Sequence, residues 1–121
     1  MDNCIFCKIA SNEIPAKTIY EDEIVKVYLD INPINAGHTL IIPKKHFTDL
    51  DDIEIETLNH IMKVAKDIKR LLDERLKPDG IQLVQNNGNV QEIKHYHLHL
   101  IPNYIKDNNM TLDEVYDILT K

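Results

Sequence analysis

The chain has 121 residues, with 20 acidic against 14 basic side chains and a formal net charge of −6. That length fits one domain spanning residues 1–121, and a composition 43% hydrophobic and 28% charged supplies one core. The acidity argues against a general binder of nucleic acid or anionic membrane, and no run approaches the ~20 apolar residues of a membrane span. The opening Met1-Asp2-Asn3-Cys4 is acidic and polar rather than leader-like, so the expectation is a cytoplasmic protein.

The first motif is Cys4-Ile5-Phe6-Cys7. Two cysteines are too few for a disulfide scaffold, and their spacing suits a chelating or a redox pair. A redox pair should follow a strand, and none precedes it here. Zinc requires two further ligands from elsewhere in the chain, and a pair of plain reduced thiols is the remaining reading.

Residues 17–21 and 24–30 are β-rich runs joined by the acidic turn Glu21-Asp22-Glu23, which predicts a hairpin. Val25, Val27 and Leu29 alternate with Lys26, Tyr28 and Asp30, the period of a half-buried strand. Pro33 and Gly37 mark a turn, and a third strand runs over 38–43. From 53 to 76, Leu58, Ile61, Met62, Ala65, Ile68, Leu72 and Leu76 recur at three- and four-residue steps. This predicts a long amphipathic helix, begun near Asp49, Asp51 and Asp52 and stopped by Pro78-Asp79-Gly80. A fourth strand over 81–85, a polar loop at Asn86-Asn87-Gly88-Asn89 and a fifth strand over 93–101 follow. Thr111 and Glu114 form a capping box for a last helix over 112–119. Strands grouped in hairpins favour an α+β fold with an antiparallel sheet and two helices.

The fifth strand carries His95-x-His97-x-His99. In an extended chain these imidazoles share one face, leaving Tyr96, Leu98 and Leu100 to pack on a helix. Metal ligation and nucleophilic catalysis at phosphorus both want that arrangement. Lys44-Lys45 reads as a solvated strand end, His60 as an exposed helix residue, and the acidic run at 49–56 as helix-start solvation.

The triple-histidine motif, followed by two apolar residues, resembles that of the histidine triad (HIT) family of nucleotide hydrolases and transferases. Cys4-Ile-Phe-Cys-Lys-Ile-Ala, Glu13-Ile-Pro-Ala-Lys, Asp30-Ile-Asn-Pro, the segment from Gly37 to His46, and Asn86-Asn-Gly are similar to its Hint branch, of the bacterial Cys-x-x-Cys zinc-containing type. The resemblance implies a five-stranded antiparallel sheet with two helices, paired in a homodimer as a ten-stranded sheet. It implies that His97 attacks the α-phosphorus of a nucleotide, that His99 contacts the phosphate and assists the leaving group, and that His38 belongs to the histidine network behind them. Asp30 would hold the ribose and Asn86 the sugar-phosphate, while Ile5, Phe6, Ile9, Tyr28 and Ile31 would form the base slot. It also implies one structural zinc ion per chain on Cys4, Cys7, His46 and His95.

The loop before the triad departs from the family pattern. It is short, Val90 stands at a glycine position, and Glu92 takes a Ser/Thr place, where a carboxylate would repel phosphate or bind an amine leaving group. The expected activity is hydrolysis of purine nucleoside 5′-phosphoramidates through a nucleotidyl-histidine. The alternatives are dinucleoside polyphosphate hydrolysis or nucleotidyl transfer, and a non-catalytic nucleotide-binding or partner-docking protein.

Overall fold

The computed structural model describes residues 3–121; Met1 and Asp2, at the head of the segment read as leaderless, lie outside the described residues. The elements are α1 (Ile5–Ala10), β1 (Thr18–Glu21), β2 (Val25–Leu29), β3 (Thr39–Pro43), α2 (Ile55–Leu76), β4 (Gly80–Gln85), β5 (Leu98–Asn103) and α3 (Leu112–Thr120). The five strands form one sheet in the order β1-β2-β3-β5-β4, antiparallel at every step. The architecture of the described residues is therefore the expected α+β sheet, with three α-helices rather than two.

The strand period assigns the two faces. Val25, Val27, Leu29, Ile41, Leu98 and Leu100 pack with Ile61, Ile68 and Leu72 of α2 and Val115 of α3. Tyr28, Leu40 and Ile42 point the other way and pack with Phe6, Ile9 and Ala10 of α1. The unforeseen helix α1 explains a correction to β2, which is buried along its whole length rather than on one face. Lys26 and Tyr28, read as its solvent side, lie beneath α1.

Helix α2 ends where Lys77 takes a left-handed conformation (φ 52°) ahead of Pro78, and α3 begins with the Thr111–Glu114 capping box closed in both directions. Asp52 serves its own turn rather than the helix end, accepting from the amides of Thr48 and Asp49 at 2.9 Å. Gly37 sits at φ +88°, where a Cβ would lie 2.5 Å from Leu76 Cδ1 and 3.1 Å from Pro102 Cγ. A side chain in this turn between β2 and β3 would be strained by the positive φ and would have to displace Leu76. β5 runs past the expected end at 101, with Pro102 inside the strand and paired with Ile81. Among the described residues no helix is long and apolar enough to cross a membrane.

Candidate active site and metal centre

Strand β5 starts at Leu98, not at 93, so His95 and His97 lie in the irregular segment leading into it and only His99 is in the ladder. The expected division of faces holds despite this. Tyr96, Leu98 and Leu100 enter the α2 core, while the Phe6 ring stands edge-on to His95 (6.0 Å) and His97 (4.9 Å). The break in the ladder frees backbone groups that the histidines then use.

Hydrogen-bond partners assign the tautomers. A carbonyl only accepts, so His97 Nδ1 donates to the His95 carbonyl at 2.8 Å. Its Nε2 then carries a lone pair and has no hydrogen-bond partner among the described residues. The amide of Ile34 donates to His38 Nδ1 at 3.1 Å, which places the His38 proton on Nε2. That N–H donates to His99 Nδ1 at 2.9 Å, leaving the His99 proton on Nε2. The His97 and His99 rings lie 4.8 Å apart. One imidazole is thereby prepared as a base or nucleophile and its neighbour as a donor.

Burial holds the three rings neutral. It lowers His97 and His38 below the ordinary imidazole value, against the opposing pull of Asp30. His99 is pushed down to about 4 by burial and then by His97 and His38. Asp30 Oδ2 lies 3.7 Å from His38 Nε2. Its carboxylate, His38 and His99 form a three-donor cluster, but the His38 nitrogen facing it bears a proton, so the group is a hydrogen-bond chain and not a cation site.

A second cluster gathers Cys4, Cys7, His46 and His95, with all four donor atoms within 4.8 Å of one another. His95 Nε2 donates to the Pro43 carbonyl at 2.8 Å, so its Nδ1 lone pair faces the thiols, 3.3 Å from Cys4 Sγ and 3.4 Å from Cys7 Sγ. His46 Nδ1 lies 3.2 Å from Cys7 Sγ. Tetrahedral zinc places sulfur and nitrogen ligands about 3.6 Å apart, so this donor set fits that ion with a small expansion. Cys4 Sγ also accepts from the Cys7 amide at 3.3 Å. Burial and the Cys4 thiol push the Cys7 thiol up to about 11; a divalent cation reverses that preference by taking the thiolate.

The other anticipated residues divide into two groups. Phe6, Ile9 and Tyr28 are buried together, with Phe6 and Tyr28 ring centres 6.2 Å apart and the Tyr28 hydroxyl without a hydrogen-bond partner among the described residues. Ile5 and Ile31 are 45% and 73% exposed and are not packed into that cluster. Asp30 stands beside the histidine chain and its Oδ1 accepts from the Asn32 amide. Asn86 is half-buried at the end of β4, and exposed Glu92 is close enough to raise His97 electrostatically. Of the other readings, His60 is not an exposed helix residue but is half-buried, 2.7 Å from Asp22. Lys45 is solvated as expected, with a surface contact to Glu54 (3.0 Å), while Lys44 is half-buried and paired with Glu21 (2.7 Å).

Sequence reasoning missed the backbone groups that set the tautomers, namely the Ile34 amide and the carbonyls of Pro43 and His95. Backbone groups carry no residue signature, and Pro33 and Gly37 signalled only that a turn was present. It also missed Gln91, buried in the pre-triad loop with its side-chain amide donating to the Thr48 carbonyl at 2.6 Å.

The family model described as HIT domain matches residues 11–106. An uncharacterized HIT-like protein of Methanocaldococcus jannaschii is 46% identical, the match covering 93% of this chain and 95% of that one. The adenosine 5′-monophosphoramidase of Saccharomyces cerevisiae is 44% identical over 82% of this chain and 61% of its own length. A crystal structure of a zinc-bound histidine triad family protein from Mycobacterium smegmatis superposes with a TM-score of 0.84 at 35% identity, covering 98% of this chain and 94% of that one.

Proposed function

The chain belongs to the HIT domain family, and from that premise we propose that it hydrolyses purine nucleoside 5′-phosphoramidates to nucleoside monophosphate. The observation that carries this reading is the His97 ring, neutral by burial, oriented through Nδ1 and without a hydrogen-bond partner at Nε2 among the described residues. Nε2 attacks the α-phosphorus and the P–N bond breaks, the leaving nitrogen taking a proton from solvent and departing as the amine, which gives a nucleotidyl-histidine. The His99 Nε2–H, set by His38, donates a hydrogen bond to the phosphate or to the departing nitrogen. Water then attacks the same phosphorus and gives its proton to solvent, and His97 leaves as the neutral ring with nucleoside monophosphate released.

Asp30 binds the ribose and Asn86 the sugar-phosphate, while Phe6, Ile9 and Tyr28, with the exposed Ile5 and Ile31 at the rim, receive the base. Glu92, exposed beside the triad, holds the leaving amine. The yeast phosphoramidase relative supports this class. Dinucleoside polyphosphate hydrolysis and nucleotidyl transfer would use the same nucleophile with a different second substrate.

Cys4, Cys7, His46 and His95 would hold one zinc ion, which when bound ties the chain start and the β3 exit to the triad segment. All four positions would be filled by protein, so the ion's place is structural. We assign the active form to a homodimer joined through β4. That strand is one of the two sheet edges, and its Leu83 and Met62 of α2, each 43% exposed, line a common cavity. We also propose a cytoplasmic location, a reading that the unpaired Cys4 and Cys7 support, since thiols stay reduced there.

The test is acid-labile trapping. Brief reaction with a radiolabelled adenosine 5′-phosphoramidate should leave label on a peptide containing His97, and no label should appear on His97→Ala. Turnover with no adduct on the wild-type chain overturns the nucleophile, whereas nucleotide binding without turnover leaves the non-catalytic reading.

A further inference from the structure

A lysine is seldom fully buried without a partner. Lys26 is 1% exposed in the middle of β2 and belongs to no ion pair among the described residues. Its Nζ instead donates to the carbonyl of Ile9 at 2.9 Å and to the Asn12 side-chain oxygen at 2.5 Å. Both acceptors lie at the C-terminal end of α1, where Asn12 holds a left-handed φ of 68°.

Helix α1 has six residues, too few to persist alone. Two attachments hold its ends. At the N-terminus, Cys4 caps the helix through the Cys7 amide, and the two thiols meet His46 and His95. At the C-terminus the attachment is Lys26. Between them Phe6 and Ile9 turn down onto Tyr28, Leu40 and Ile42, with Phe6 against both His95 and His97. A shift of α1 therefore moves the thiols relative to their histidine partners.

We propose that Lys26 is the positioning residue of α1, and through it of the Cys4/Cys7 half of the metal centre. The lysine stem fills the layer beneath the helix, and its amine locks the helix end by a side chain rather than by the ladder. The inference concerns placement of α1 and stands whether or not the chain turns over nucleotides.

The test uses the zinc-loaded full chain, with Lys26→Met keeping length and volume while removing the donor. Hydrogen exchange at the amides of residues 7–12 should speed up about tenfold, and zinc release to an excess of chromogenic chelator should accelerate by a similar factor, as expected for a lost buried hydrogen bond. Amides of β2, β3 and α2 should change little. Asn12 is exposed, so Asn12→Gly preserves the positive φ and the fold while removing one acceptor. It should shift both readouts the same way and add nothing to Lys26→Met. Faster exchange spread evenly over the sheet, or unchanged zinc release in both variants, overturns the proposal. Should zinc release respond while turnover is absent in every form, the proposed function fails and this placement remains.

Discussion

Replacing His38 with alanine isolates the hydrogen-bond chain behind the triad. The wild-type side chain is 2% exposed and carries a proton on Nε2 only because the Ile34 amide occupies Nδ1. In His38→Ala, His99 Nδ1 loses its donor at 2.9 Å. A buried acceptor left unpaired costs about 1–3 kcal/mol, and part of that can be recovered if the His99 proton moves to Nδ1. The move removes the Nε2–H intended for the phosphate or the leaving group, and losing one such hydrogen-bond donor costs roughly 10²–10³-fold in rate. We therefore expect kcat/KM to fall by about 10²-fold, or about 2.7 kcal/mol. The assay is hydrolysis of an adenosine 5′-phosphoramidate bearing a fluorescent amine, paired with ¹⁵N spectra of the imidazoles, which distinguish the Nδ1–H from the Nε2–H tautomer. If His38→Ala keeps kcat/KM within about threefold while His99 retains its Nε2 proton, the tautomer argument is wrong.

The remaining predictions are narrower. Burial lowers His97, so the acid limb of kcat/KM should lie below the ordinary imidazole value of 6.5; a midpoint at or above 6.5 would contradict a neutral buried nucleophile. The same sign governs stability through His99, depressed to about 4 from 6.5. Its contribution is present above 6.5 and lost as pH falls toward 4, because the unfolded chain takes up the proton first, and calorimetric scans of His99→Asn should show a shallower acid-side loss of Tm than wild type. Cys4→Ser with Cys7→Ser should remove one zinc per chain by elemental analysis and lower Tm, while sparing most turnover. Gly37→Ala should destabilise by about 2 kcal/mol or more in urea titrations, combining a positive φ with overlap on Leu76.

Much of the sheet and α2 could be read from periodicity, since one set of alternate residues in β2, β3 and β5 faces a single long helix. What could not be read arises where two parts of the chain meet. Helix α1 is one and a half turns long, and its apolar residues Ile5, Phe6, Ile9 and Ala10 gave no sustained period to detect. Without it, Lys26 and Tyr28 looked like a solvent face. The triad was visible by spacing, and the fold placed its outward residues as expected, although extended spacing alone did not reveal that His95 and His97 precede the ladder. His60 looked exposed because nothing in α2 signals Asp22, which lies 38 positions earlier and is held well below the carboxylate range by His60, Tyr20 and two amides, despite partial burial.

The strand order has a consequence for biosynthesis. Strand β5 lies between β3 and β4, so a growing polypeptide that has not yet emerged past residue 98 has no means of joining its fourth strand to the first three. The donors contributed by positions 4, 7 and 46 likewise wait for position 95. Synthesis therefore delivers the reactive centre and the ion cage together, once residues 95–103 have emerged, and a ribosome-stalled fragment ending before position 95 has neither.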